Sequence, residues 1–238
     1  MAGAVIAKVR VLESWKETPT THVVRFTRPP GFDFLPVQFC GLELETEEGG
    51  IEYSMSLASS PTQPFLEFGA RVASGTPWKR AFQALAKGDE AEVDGAYGHF
   101  VLDERRPAVF VAGGIGITPL KGMIRYATDK KLSIPLRLVY SNRDGSEIAY
   151  RKEFDELATA NPNLRILHTL TRPKEAEGWT GRTGRIDRAL LEETAAGLDD
   201  PTFYICGLPE MVRDHFLVLR ELGVPRERLM AEQFWGYE

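Results

Sequence analysis

Cysteine is scarce in this 238-residue chain: Cys40 and Cys206 are its only two, far apart in the sequence. Two thiolates cannot hold an iron–sulfur cluster, which usually needs four. A reduced, cytoplasmic setting is therefore the simpler expectation. Long hydrophobic runs are absent too, and nothing approaches the roughly 18 apolar residues that span a bilayer. Met1 to Lys8 carries no apolar core with a cleavage site, so no secretory signal is read there. The four histidines show no ligand spacing, and no metal site is expected. Net charge is −5, which implies no general affinity for nucleic acid. No internal repeat, low-complexity segment or nucleophilic triad is evident. What remains is a composition of 43% hydrophobic and 26% charged residues, that of a soluble globular protein of one large or two ordinary domains.

The most informative stretch runs from Ala108 to Leu120. Val109–Val111 is apolar and β-rich, as a buried strand requires. Gly113, Gly114 and Gly116 follow. Thr118 and Pro119 then stand where a helix starts, since Thr caps free N–H groups and Pro fits the first turn. Leu120, Met123, Ile124 and Ala127 continue at helical spacing. Strand, glycine turn and helix N-terminus together make a diphosphate site, because backbone N–H groups converge where the helix dipole favours an anion. Gly114-x-Gly116-x-x-Pro119 departs from G-x-G-x-x-G at its third glycine.

Around this stretch the chain has two grammars. From Val5 to about Gly98 short alternating strands dominate: Ala7–Val11, Val24–Thr27, Gly41–Thr46, Tyr53–Ala58, Phe65–Ala73 and Glu90–Asp94, with one helix at about Trp78–Leu85. Six antiparallel strands and one helix predict a small closed barrel. After Asp103, strands at Val109–Ala112, Leu136–Tyr140, Leu164–Leu170 and Phe203–Cys206 alternate with helices at about Leu120–Thr128, Tyr150–Thr159, Asp187–Glu193 and Pro209–Leu222. That alternation predicts a parallel sheet covered by helices on both faces. The polar link Glu104-Arg105-Arg106 divides residues 1–104 from residues 105–238.

Barrel then half-Rossmann sheet, with several motifs in matching order, resembles the ferredoxin–NADP reductase superfamily, and within it the bacterial ferredoxin/flavodoxin–NADP reductases. Ser56-Leu57-Ala58-Ser59-Ser60-Pro61 is similar to the tail of the family's R-x-Y/F-S-x-x-S-x-P flavin motif. In the family the Arg meets the flavin pyrophosphate, the aromatic lies against the ring, and the Ser bonds near N5. A gapless register puts Tyr53 at the Arg position, Ser54 between, Met55 at the aromatic and Ser56 at the N5 Ser. A second register sets Tyr53-Ser54 on the aromatic–Ser pair and Ile51 on the Arg. Neither supplies the Arg. Arg71 is a candidate to replace it, as are Lys79 and Arg80, because two buried phosphate charges need compensation. Ser74-Gly75-Thr76-Pro77-Trp78 resembles the family's turn into the barrel helix. Thr76 there would cap and leave the Trp78 and Lys79 amides for the pyrophosphate.

The same resemblance assigns Gly113, Gly114, Gly116, Thr118 and Pro119 to the nicotinamide nucleotide, with Thr118 nearest the ring. Arg143, Arg172 and Arg185 fall roughly where NADP-dependent members carry theirs, so NADP(H) is expected over NAD(H). Cys206-Gly207 with Met211 matches C-G-x-x-x-M, whose Cys lies beside the nicotinamide. Phe234 and Trp235 match the end of E-x-Y-W, stacking on the flavin and leaning toward its adenine. The implied activity is hydride transfer between NADP(H) and FAD, with Ser56, Cys206 and Phe234 at the chemistry. Electrons would pass to a separate ferredoxin or flavodoxin. Alternatives are the reductase component of an oxygenase, an NADH-linked flavin reductase, or a non-catalytic flavoprotein or nucleotide-sensing subunit. Neither membrane nor nucleic acid is expected as a partner.

Overall fold

The computed structural model describes residues 5–173 and 178–234. Strands β1 (Val5–Lys16), β2 (Thr21–Thr27), β3 (Phe39–Thr46), β4 (Gly49–Ser56), β5 (Phe65–Arg71) and β6 (Glu90–Tyr97) form an antiparallel sheet in the order β4-β3-β6-β1-β2-β5. A bulge between Val11 and Glu13 lets the long β1 pair with β6 through its first half and with β2 through its second. β4 and β5 are the two edges. The barrel is thus only half closed: just past β4, the Ala58 amide donates to the Glu67 carbonyl of β5 at 2.8 Å.

Helix α1 (Pro77–Ala84) plugs the barrel. Thr76 caps it by accepting from the Lys79 amide, and Pro77 takes the first helical position. Its four-residue spacing aims Trp78 and Phe82 inward, with ring centroids 5.0 Å apart. The Trp78 Nε1 donates to the Leu42 carbonyl.

The second half is a parallel sheet. β7 (Ala108–Gly113), β8 (Leu136–Asn142), β9 (Leu164–Leu170), β10 (Arg182–Thr183), β11 (Thr202–Gly207) and β12 (Leu229–Gln233) run in the order β10-β9-β8-β7-β11-β12. α2 (Ile117–Asp129) and α3 (Arg151–Ala160) cover one face; α4 (Arg188–Ala195) and α5 (Pro209–Glu221) cover the other. β7 shows why its sequence is continuously apolar. Ala108, Phe110 and Ala112 pack with α2 and α3, while Val109 and Val111 pack with α4 and α5. No helix among the described residues is long and apolar enough to cross a membrane.

Three local expectations need correction. β10 and β12 are additional strands: one has two residues, and the other, Leu-Met-Ala-Glu-Gln, is a short edge of mixed polarity. The fourth barrel strand spans Gly49–Ser56 rather than Tyr53–Ala58, because Gly49, at φ +98°, makes the turn that admits a hairpin with β3. Thr118 does not cap α2. A single 3-10 turn at Gly114–Gly116 precedes the helix, and Thr118 sits inside its first turn with its hydroxyl donating to the Ile115 carbonyl.

Candidate functional site

The sheet order reverses direction beside β7: the chain runs outward through β8, β9 and β10, then crosses to β11 and β12 on the opposite side. Open parallel sheets bind ligands in the crevice that such a reversal leaves at the strands' carboxyl ends. Here the crevice is built by glycines. A Cβ added at Gly116 would lie 2.5 Å from the Cys206 carbonyl carbon and 2.6 Å from the Gly207 nitrogen. At Gly113 it would strike the Met211 sulfur. Only glycine permits this approach, and it leaves backbone, not side chain, facing the opening.

That opening is a cavity of about 300 Å³ between the two halves of the molecule. Gly113, Gly114, Arg143, Gly207 and Phe234 line it from the sheet side; Thr20, Thr21 and Arg71 line it from the barrel. Asp144 and Glu147, two acids that no sequence motif singled out, stand on the same wall. Glu147 also ties the halves together, accepting from the hydroxyls of Thr18 at 3.1 Å and Thr20 at 2.6 Å. The Phe234 amide donates to the Gly207 carbonyl, which holds the aromatic at the cavity edge.

Beside the cavity, three distant segments meet. Ser56, at the end of β4, donates its hydroxyl to Glu232 Oε1 at 2.6 Å. Glu232 on β12 lies directly opposite Cys206 on β11 in the parallel ladder. Glu232 Oε2 is buried and has no partner. Burial raises the Glu232 carboxyl above the ordinary carboxylate range, against the Ser56 hydrogen bond, which lowers it. Burial, and next the Glu232 charge, push the Cys206 thiol well above its usual value. Cys206 is thus a neutral thiol and not a thiolate nucleophile. Glu232 is the main residue missed from sequence; its only signal was its place at the head of the E-x-Y-W-like ending.

The remaining candidates separate. Ser56 meets the sheet, which favours the gapless register. Met55 is buried in the barrel core, Ser54 is exposed, and Tyr53 stacks on Trp78 at 4.6 Å and 3°. The Lys79 amide is taken by Thr76 and so is not available as expected; the Trp78 indole is wholly buried between Tyr53 and Phe82. Ser74 accepts from Lys79 Nζ at 2.7 Å beside the Gly75 turn. The Lys79 ammonium is lowered by burial and then by the neighbouring Arg71 charge, which places two cations close together. Arg71 itself faces the cavity. Thr118 is turned away from that cavity, buried against Gly69 of β5, while Pro119 is buried in the first turn of α2. Arg172 and Arg185 are exposed and outside the lining; only the Arg172 amide reaches back, donating to the Arg143 carbonyl. Trp235 lies outside the described residues.

Residues 110–215 match the family model described as "Oxidoreductase NAD-binding domain". The cytochrome P450 reductase GcoB of Amycolatopsis superposes with a TM-score of 0.83 at 26% identity, over 97% of this chain and 70% of that one. The parallel-sheet half thus belongs to that oxidoreductase NAD-binding family, and the whole chain shares the two-domain reductase fold. The same fold recurs in a ferredoxin NADP+ reductase from Neisseria gonorrhoeae solved with bound FAD and NADP, at a TM-score of 0.82 and 23% identity over 96% of this chain and 98% of that one. A subunit of the Na(+)-translocating NADH-quinone reductase of Pseudomonas aeruginosa is 31% identical over 199 residues, 80% of this chain and 46% of that protein. The chain thus spans about half the length of the curated relatives it matches.

Proposed function

We propose that this chain takes a hydride from NADH through bound FAD and passes electrons to a separate acceptor. The observation that carries the reading is the Ser56–Glu232 bond, which joins barrel to sheet beside Cys206 and the glycine-lined cavity. The residues present fit both groups. The glycine cradle at Gly113–Gly116 suits a nucleotide diphosphate, and Arg71 and Arg143 offset its charge. The Ser56 hydroxyl and the unpartnered Glu232 oxygen suit the polar edge of a flavin ring; Ser74, Thr76 and Lys79 gather polar and cationic groups for its phosphates. When bound, the flavin supplies the hydride acceptor and the means to release electrons singly or in pairs.

The protein's own work is placement. Hydride transfer needs reacting atoms about 3–3.5 Å apart, and the cleft fixes two ligands from opposite walls. Cys206 offers a small neutral surface there, and Glu232, with its raised carboxyl, can hold a proton at Oε1 or Oε2 near Ser56. Phe234 shields the cavity and must move aside for the nicotinamide.

For the nucleotide we take NADH. The expectation of NADP(H) rests on three arginines, of which Arg143 alone lines the cavity, next to Asp144 and Glu147. Carboxylates there repel a 2′-phosphate and accept from ribose hydroxyls. The curated relatives are also named for NADH. The acceptor is a separate carrier, such as a ferredoxin, a flavodoxin or an oxygenase component, and the chain works where the cytoplasmic nucleotide pool reaches it. Anaerobic titration tests this. The purified yellow protein should bleach with NADH at concentrations about tenfold lower than with NADPH, and denaturation should release FAD. A colourless protein that cannot be reconstituted would sink the reading.

A further inference from the structure

The helix that follows the glycine turn is pinned to the barrel by charge. Lys121 of α2 is fully buried, and so is Glu67 of β5; their Nζ and Oε1 are 2.7 Å apart. Lys121 also donates to the Ala58 carbonyl at 3.4 Å, pairs with Glu153 of α3 at 3.2 Å, and lies 4.8 Å from the Tyr150 ring centroid. The second oxygen of Glu67 accepts from Arg25 at 2.7 Å. One position on, Gly122 brings the helix backbone against the barrel: an added Cβ would sit 2.9 Å from the Ser59 carbonyl oxygen and 3.3 Å from that of Leu57. The contacts at Leu57, Ala58 and Ser59 immediately follow Ser56. At 1.5 Å per residue, Lys121 stands about 7.5 Å along the helix from Gly116.

We propose that Lys121 is a positioning residue: by binding Glu67 and the Ala58 carbonyl it sets the height and tilt of α2, and with it the distance between the Gly113–Gly116 turn and Ser56. This rests on the function proposed above. An apolar seam would hold the halves together equally well. Burying two charges is costly, and replacing such a pair with apolar or neutral groups is often neutral for stability. What the pair adds is direction, since a 2.7 Å ion pair between rigid elements tolerates little sliding. A misplacement of about 1 Å can slow a reaction about a hundredfold.

The test uses the full chain carrying Lys121→Met with Glu67→Gln, which removes both fully buried charges together and leaves Arg25 with Glu13 and Glu153 with Arg125, and Lys121→Arg beside it. Three quantities are read: the rate of flavin reduction by NADH, the nucleotide dissociation constant, and the relative orientation of barrel and sheet from residual dipolar couplings. The double variant should stay folded, bind nucleotide within about twofold of wild type, reorient the two halves, and reduce flavin about tenfold to a hundredfold more slowly. Lys121→Arg should recover part of the rate. An unchanged orientation would overturn the proposal, as would a loss of rate matched by an equal loss of affinity. A wild-type chain that no nicotinamide nucleotide reduces would defeat the proposed function instead, and the orientation measurement would still decide the pin.

Discussion

Adding one methyl group at Gly116 and the same group at Gly113 should give different results. Both residues have backbone angles that alanine adopts freely: φ −59° at Gly116 and φ −125° at Gly113. Conformational strain is therefore equal, and only the neighbours differ. At Gly116 the new Cβ meets backbone, at 2.5 Å from the Cys206 carbonyl carbon. Ordinary contact is about 3.5 Å, so the glycine turn and the end of β11 must part by about 1 Å. Overpacking of that kind costs about 1–3 kcal/mol. For a chain of this size each kcal/mol lowers the midpoint by about 2–4 °C, so Gly116→Ala should lose roughly 2–12 °C. It should also weaken nucleotide binding, because the turn itself moves. At Gly113 the obstacle is the thioether of Met211, whose flexible side chain can withdraw. Gly113→Ala should therefore lose at most about 1 kcal/mol, and Met211→Ala should relieve most of that. Thermal denaturation and nucleotide titration of the three variants measure both effects. Equal losses at the two glycines, or no relief from Met211→Ala, would refute the close-approach argument.

Glu232→Gln probes the buried carboxyl. Its folded-state value is raised by burial, so the stability it contributes is complete below the ordinary value of 4.5 and is lost as pH rises through the raised one. The midpoint of the variant should therefore gain on wild type as pH rises above the ordinary value of 4.5, and a constant difference would argue against a buried, raised Glu232. Arg71→Ala should lower nucleotide affinity about tenfold, in a salt-dependent way, and should affect nucleotide more than flavin; the reverse order, measured by paired titrations, would return Arg71 to the flavin phosphates. Phe234→Ala should raise nucleotide affinity by opening the cavity edge, and unchanged affinity would show that Phe234 is no obstacle.

Periodicity made both sheets legible. β7 reads as apolar throughout because helices cover both of its faces, and the barrel strands alternate because one face is buried. The edge strands of the parallel sheet were not legible. β12 is short and of mixed polarity, and it takes its ladder from β11. Thr118 was misjudged for a geometric reason: the 3-10 turn at Gly114–Gly116 rotates the helix start, carrying its side chain under β5 instead of into the cavity. The Lys121–Glu67 pair leaves no trace in the sequence. Its partners lie on different domains, and a buried ion pair has the same composition as a solvated one.

The convergence of Ser56, Cys206 and Glu232 follows from topology more than from any local motif. In a parallel sheet every strand ends at the same edge, so the segments after β7, β8, β11 and β12 all collect there. They deliver Gly113 and Gly114, Arg143 and Asp144, Gly207, and Phe234 to one cavity without any of them being near in sequence. The barrel needs to add only one strand end, and β4 adds it at Ser56. Because β4 is an edge strand, no further strand stands between Ser56 and the sheet, and its hydroxyl reaches Glu232 directly. A closed barrel would have paired that edge with β5 and left no opening against the sheet. The half-open barrel thus leaves Ser56 free to meet the sheet, and the segment just past it, Leu57–Ser59, packs against the helix that follows the glycine turn.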